Sequence, residues 1–262
     1  MPLSDREVEA LAARLAEARE RRAPVAPLTE EFLGMTVADG YRIQRAGMVA
    51  RVRAGERVAG WKVGMTAAAP RAEFGIDEPL AGQVVASTVY PTGALIDTGR
   101  LIAPGAEAEV AFVLGRDLRG PGVSLLEAYR AVEGAVACLE IVDSRYRDWK
   151  FRAPDVVADN AAQAGLVLGS RLVPLRELDL PLEGLVWEHN GQVVATATAA
   201  EVGGTPLTSL VWLANKLAEW GEALPAGAVV ASGSLSRVLR PRPGESVRAT
   251  FTRLGSVSAR FV

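Results

Sequence analysis

The chain has 262 residues, 49% of them hydrophobic and 23% charged, with a formal net charge of −2. That balance leaves no electrostatic footprint for nucleic acid, and the length allows one core domain plus a modest extension. One cysteine, Cys138, and one histidine, His189, exclude an intramolecular disulfide, a multi-cysteine metal site and two-histidine catalysis.

In chain order, Ser4 to Glu7 reads as a capping box. Val8, Leu11, Leu15 and Ala18 then recur at helical spacing as far as Arg22. Thr36 to Asp39 starts a second helix, whose stripe runs through Val37, Tyr41, Met48 and Val52 to Gly55. The texture changes at Arg57, where short β-type runs separated by Gly and Pro begin. Residues 1–56 are therefore expected to be a small helical region and 57–262 a core of mixed sheet.

Within the core, Glu109 to Leu114 reads as a strand. Ser124 caps a helix carrying Leu125, Tyr129, Val132 and Val136 on its apolar side. Cys138 to Val142 is a short apolar run, and residues 165–169 form another strand. Asn190-Gly191 marks a type I′ hairpin turn, with His189 expected on its exposed flank. Thr205-Pro206 opens a helix through Leu210, Leu213, Leu217 and Trp220, and three strands close the chain. Strands and helices do not alternate regularly, which points to α+β with a mixed sheet. The Gly-rich nucleotide-binding fingerprints are absent. No apolar run reaches the ~18 residues of a membrane span. The opening MPLSDREVEA is charged and helical rather than signal-like, so the expected compartment is the cytoplasm.

The stretch 106–114 carries the most chemistry. On a strand, Ala106, Ala108, Val110, Phe112 and Leu114 share one face, while Glu107, Glu109, Ala111 and Val113 share the other. Two converging carboxylates repel unless a cation lies between them, so this face is either a solvated acidic edge or half of a metal site. Glu140 sits in an otherwise apolar run and needs a partner, either a cation or a buried arginine. Three oxygen-donor acids on two strands suit Mg²⁺ or Mn²⁺, which keep open positions for a chelating substrate. Asp143 is either a group supporting the acids from behind or the polar start of a loop, and the loop is the favoured reading.

Lysine occurs only three times among 29 basic residues. Lys62, between Gly60 and Gly64, is either a pocket lysine or a strand-edge lysine; Lys150 and Lys216 lie in blander contexts. Asp159-Asn160 and Ser232-Gly233-Ser234 are further candidates for a pocket, or else ordinary turns. Cys138 reads as a packing residue.

Gly60-Trp-Lys-Val-Gly-Met-Thr66, Glu107 to Leu114, Leu139-Glu-Ile-Val-Asp-Ser-Arg145, Asp148-Trp-Lys150 and Val157-Ala-Asp-Asn-Ala161 occur in this order, followed by Trp212 to Leu217 and Leu254 to Phe261. Together they resemble the 2-keto-4-pentenoate hydratase / 4-oxalocrotonate decarboxylase family, within the fumarylacetoacetate hydrolase-like superfamily. The resemblance implies a mixed β-roll behind a helical N-terminal region, and homo-oligomers. It implies Mg²⁺ or Mn²⁺ held at Glu107, Glu109 and Glu140. It places Lys62 in the substrate pocket, where it is expected to be catalytic; Asp159 and Ser234 are the further residues expected to contact the substrate. The substrate is a small 2-oxo or 2-hydroxy dienoate from aromatic-compound meta-cleavage.

Hydration of 2-hydroxypenta-2,4-dienoate to 4-hydroxy-2-oxopentanoate is the first expectation, with decarboxylation of 4-oxalocrotonate as the alternative. A non-catalytic protein that binds a keto acid is the reading from another class. The chain departs from the family pattern at three places. Leu80 stands where hydratases often carry an acid, Ala162 lacks a hydroxyl, and Pro104-Gly105 lacks a cation.

Overall fold

The computed structural model describes residues 2–262. Three helices precede the first strand: α1 (Asp5–Arg21), α2 (Leu28–Glu31) and α3 (Val37–Arg53). The Ser4 and Thr36 boxes close at both caps, each side chain accepting from the N3 backbone N–H. Val8, Leu11, Ala12 and Leu15 of α1 pack with Leu28 and Ile43, and with Tyr146 and Ala158 of the core. The helical region is thus bonded to the strand region through one shared apolar cluster.

Four further helices lie among the strands: α4 (Ala68–Phe74), α5 (Leu125–Ala131), α6 (Ala153–Ala158) and α7 (Leu207–Ala218). Among the described residues no helix is long and apolar enough to cross a membrane.

Seven strands form the larger sheet: β1 (Val58–Gly64), β2 (Leu80–Val85), β3 (Val89–Pro91), β5 (Gly105–Leu114), β6 (Val132–Val142), β7 (Gln163–Leu168) and β10 (Val229–Ser234). Their order is β2-β1-β10-β5-β6-β7-β3. β1 runs parallel to β10, and β3 to β7; the other pairs are antiparallel. The smaller sheet has the order β4-β12-β11-β8-β9, from β4 (Ala94–Ile96), β8 (Gly184–His189), β9 (Gln192–Thr198), β11 (Ser246–Phe251) and β12 (Gly255–Phe261).

The larger sheet curls on itself. Val84 of β2, Ala111 of β5, Cys138 of β6, Leu166 of β7 and Ala231 of β10 meet in one buried cluster, although β2 and β7 are far apart in strand order. The Asn160 side chain fastens the seam, accepting from Gln83 N at 2.7 Å and donating to Gln83 O at 2.8 Å. Small residues such as Ala111, Ala231 and Cys138 suit the narrow interior of such a roll. The opposite faces of β5 and β6 pack outward, with Phe112, Leu139 and Ile141 in the main core beside Trp187, Val247 and Val257 of the smaller sheet. The two faces read from the alternation in 106–114 are the outer and inner faces of this roll.

Four local expectations need correction. α5 stops at Ala131, and Val132 and Val136 belong to β6, an 11-residue strand. Leu125 and Tyr129 of α5 are exposed, and Ala128 and Ala131 are its buried residues. The start of α7 has no side-chain cap; Pro206, already in helical conformation, precedes it directly. His189 is half-buried, with Nε2 2.9 Å from Glu245 Oε2, because Glu245 lies just before the neighbouring strand β11. The I′-like turn itself is present, with positive φ at both Asn190 and Gly191.

Candidate active site

One mouth of the roll opens into a cavity of about 530 Å³. Glu107 and Glu109 reach it from the inner face of β5, and Glu140 of β6 stands opposite Glu107 in the ladder. One carboxylate oxygen from each of the three lies within 4.8 Å of the others. Lys62 comes from β1, three strand positions from β6. A flat sheet would hold those strands roughly 14 Å apart, so the curl brings the lysine to the acids. Lys62 Nζ lies 3.1 Å from Glu140 Oε2 and donates to Ala161 O at 3.0 Å.

The fourth strand in the arrangement, β10, has an irregular register between Ala231 and Ser234. There Gly233, at φ +115, donates its N–H to Glu109 Oε2 at 2.9 Å. A Cβ at Gly233 would sit 2.6 Å from Thr66 Oγ1, so only glycine brings this backbone donor against the acid.

The cluster is buried, which decides its electrostatics. Burial raises Glu140 to about 7, with Glu107 adding to the effect and Lys62 opposing it. Burial likewise lifts Glu109 well above the carboxylate range, with Glu140 and Glu107 adding to it. Glu107 is raised less, since Lys62 and Arg240 pull against burial. Burial works against the charge on Lys62, but Glu140, Glu107 and Glu109 outweigh it and hold the ammonium above its ordinary range. Neither oxygen of Glu140 has a hydrogen-bond donor, since the Lys62 contact lies outside hydrogen-bond geometry.

Buried Glu109 and Glu140 with half-buried Glu107, set against one lysine, leave a surplus of negative charge that a dication would neutralise. The donors are all carboxylate oxygens, and the orphaned oxygens of Glu140 face the same cluster. The residues therefore fit a hard divalent ion such as Mg²⁺ or Mn²⁺.

The structure separates the other candidates. Ser234 lines the cavity, its hydroxyl donating to Ser236 O. Asp159 does not line it. Its carboxylate is buried against Arg145, accepting from the Arg145 backbone N–H at 2.9 Å and from the guanidinium Nε. The side chain turns away because Arg145 stands behind the segment, so Asp159 is corrected from a substrate-contacting residue to a partner of Arg145. Asp143 is buried too, and holds the approach to β5 by accepting from Ile102 and Ala103. Cys138 is buried inside the roll, as expected of a packing residue.

Sequence reasoning missed a group on the cavity rim. Arg237, Arg240, Trp149, Phe151 and Glu201 all line it. The Arg240 guanidinium lies 4.2 Å above the Trp149 ring. A Cβ at Gly105 would meet Val238 at 2.6 Å, so the loop after β10 fills the place where a side chain at 105 would go. That loop returns a cation at Arg240, near Glu107. Nothing local in the sequence ties position 240 to position 105.

Comparison with known proteins agrees with this geometry. The family model described as fumarylacetoacetate (FAA) hydrolase C-terminal matches residues 61–262. The 4-oxalocrotonate decarboxylase of Pseudomonas putida is 36% identical over 260 residues, covering 99% of this chain and 98% of that protein. The chain belongs to the fumarylacetoacetate hydrolase family. Another relative, the 2-keto-4-pentenoate hydratase of Burkholderia vietnamiensis (strain G4 / LMG 22486), is 38% identical over 257 residues, covering 98% of each chain. The solved structure of 4-oxalocrotonate decarboxylase from Pseudomonas putida G7, complexed with magnesium and adipate, superposes with a TM-score of 0.97 at 36% identity and 99% coverage of both chains. This family member therefore falls among hydratases and decarboxylases along its whole length, and shares the fold of the decarboxylase.

Proposed function

We propose that this family member is a Mg²⁺- or Mn²⁺-dependent lyase acting on a small 2-oxo or 2-hydroxy dienoate. The observation that carries the reading is the convergence of Glu107, Glu109 and Glu140 with Lys62 at one cavity. Glu107, Glu109 and Glu140 would hold the metal. When bound, it supplies a Lewis acid that stabilises negative charge developing on a substrate oxygen.

The protein groups have separate tasks. Lys62, kept as an ammonium by the acids and aimed by Ala161 O, orients a substrate oxygen and can give it a proton. Ser234 offers a hydroxyl beside Glu109. Arg240 and Arg237 attract an anionic substrate to the mouth. Leu80, Val142, Phe151 and Val156 exclude water from one wall.

Of the two reactions, that wall favours decarboxylation. Leu80 is 1% exposed and stands where a hydratase would use an acid. Loss of CO₂ from 4-oxalocrotonate turns one of its two carboxylates into neutral CO₂, leaving the electron pair on a dienolate that then takes up a proton, and an apolar wall disfavours the carboxylate charge that departs. Hydration of 2-hydroxypenta-2,4-dienoate to 4-hydroxy-2-oxopentanoate is the second reading. Thr66, Ser236 and Glu201, which also line the cavity, favour it as partners for a water.

The same reading places the enzyme in the cytoplasm as a homo-oligomer. The edge strand β9, with Val193 and Val194 exposed, supports association.

The test is product analysis by NMR in isotope-labelled water, with the Mg²⁺-loaded protein and each substrate in turn. CO₂ release from 4-oxalocrotonate without a labelled C4 hydroxyl supports decarboxylation. A labelled C4 hydroxyl establishes hydration instead, and inertness towards both substrates removes the lyase reading.

A further inference from the structure

On the far side of the segment 159–163, away from the acids, lies a second and smaller cavity of about 70 Å³. Helices α1 and α3 wall one side; Arg145, Asp159, Asn160 and Gln163 wall the other. Three guanidinium groups converge there: Arg19 from the last turn of α1, Arg51 from the last turn of α3, and Arg145.

Only two of the three have a carboxylate in ion-pair contact. Arg145 is paired with Asp159. Arg51 reaches Glu56 at 3.4 Å, long for a charge-assisted bond. Arg19 is half-buried and forms no ion pair among the described residues, while Arg51 and Arg145 press upon it. Glu20 and Asp159 act on Arg19 from a distance, and neither forms an ion pair with its guanidinium.

A neutral group gives independent support. Gln163 is 4% exposed, and its Nε2 has no acceptor, although a buried donor is costly to leave unpaired. The other amides at this cavity are already committed. Gln44 donates to Ala81 O and Val157 O, and Asn160 is bonded to Gln83.

We propose that this cavity binds one small oxyanion, of phosphate or short-carboxylate size, between Arg19, Arg51 and Arg145, with Gln163 Nε2 as a further donor. The volume admits such an ion and excludes a nucleotide. One anion gives Arg19 a bonded partner and the orphaned amide an acceptor.

The site shares a backbone turn with the active cavity. Asp159 and Gln163 line the small cavity, while Ala161 and Ala162 between them line the large one. Asn160, Ala161 and Ala162 all have positive φ, at 53°, 51° and 59°, a conformation that persists only when its surroundings hold it. Ala161 O is the acceptor that aims Lys62. An anion that bonds Arg145 and Gln163 therefore acts at both ends of the turn that seats the lysine, and the coupling is reciprocal by linkage.

The test is calorimetric titration of the full chain with inorganic phosphate and, separately, with acetate. Saturable binding of either ion is expected, and their relative affinities distinguish a tetrahedral oxyanion from a carboxylate. Arg19→Ala and Gln163→Met, one half-buried and one close to isosteric, each weaken that binding roughly tenfold or more. Arg240→Ala, at the other cavity, leaves it unchanged. Absence of saturable binding of both ions, affinity retained within twofold in both cavity variants, or equal loss in Arg240→Ala overturns the site. A third measurement reads the coupling: pyruvate affinity with and without saturating phosphate should differ in the native chain and not in Arg19→Ala. Equal affinities in the native chain overturn the link to Lys62.

Discussion

Glu107 and Glu140 stand directly opposite one another across the β5–β6 ladder, inside the roll, with Lys62 Nζ 3.1 Å from Glu140. Like charges at opposed ladder positions destabilise a sheet, so this pairing costs stability until a dication arrives. Glu140→Gln should raise the stability of the metal-free protein by about 1–3 kcal/mol, the scale of its displaced titration. The same change should weaken Mg²⁺ binding by ~10²-fold or more, since even groups behind a ligand cost 10–100-fold. Thermal melting with and without Mg²⁺ reads both effects. A variant less stable without metal, or one that binds Mg²⁺ normally, contradicts the assignment.

A pH dependence follows from the raised carboxylates. Glu140 titrates at about 7 when folded and in the ordinary carboxylate range when unfolded. A group raised in this way contributes stability below its unfolded value and loses it as pH rises through the folded value. The metal-free protein should therefore weaken as pH climbs from about 4.5 towards and through 7. Mg²⁺ affinity should rise over the same window, because protons compete for the ligands. Calorimetry at a series of pH values checks the sign, and a flat affinity profile would refute it.

Lys62→Met removes the charge while keeping most of the buried stem. The expected loss in kcat is about 10²–10⁴-fold, the usual scale for a positioned proton donor, with the fold retained. Steady-state kinetics beside circular dichroism separate the two. Near-normal kcat would remove Lys62 from the mechanism.

Arg240 is exposed on the rim, so its effect should be on capture. KM for a dianionic 2-oxo acid should rise with ionic strength in the native enzyme, and less steeply in Arg240→Ala. A monoanionic substrate should show a smaller difference. Identical salt slopes in the two proteins would deny Arg240 that role.

Gly82→Ala tests the seam. A Cβ there would lie 2.5 Å from Asn160 O and 3.2 Å from Lys62 Cδ, so the turn at 160–162 must move. Overpacking of this kind costs about 1–3 kcal/mol, and kcat should fall with it because Ala161 O no longer aims Lys62. Melting temperature and kcat are the readouts; wild-type values for both would show that the seam yields freely.

Much of the site was legible because it lies on strands. Alternation in 106–114 put Glu107 and Glu109 on one face, and the apolar setting of Glu140 demanded a partner. What alternation cannot supply is curvature, so the meeting of Lys62 with Glu140 came from closure of the roll. Asp159 was misread for a related reason. It sits next to the turn at 160–162, where a half-rotation of the backbone decides which of two cavities a side chain enters. The α5 stripe failed because Val132 and Val136, four residues apart, fit a helical period and one face of a strand equally well. Arg240 gave no local signal, since its importance depends on the approach of Val238 to Gly105.

The central claim, that Glu107, Glu109 and Glu140 hold the catalytic metal beside Lys62, is met most directly by a crystal structure of the Mn²⁺-loaded protein with a bound 2-oxo acid, read by anomalous scattering. The account predicts one metal peak among the three carboxylates, with oxygen distances slightly longer than the roughly 2.0–2.2 Å expected for Mg²⁺, and the ligand facing Lys62. A saturated protein with no peak there, or with its metal bound elsewhere, would contradict it.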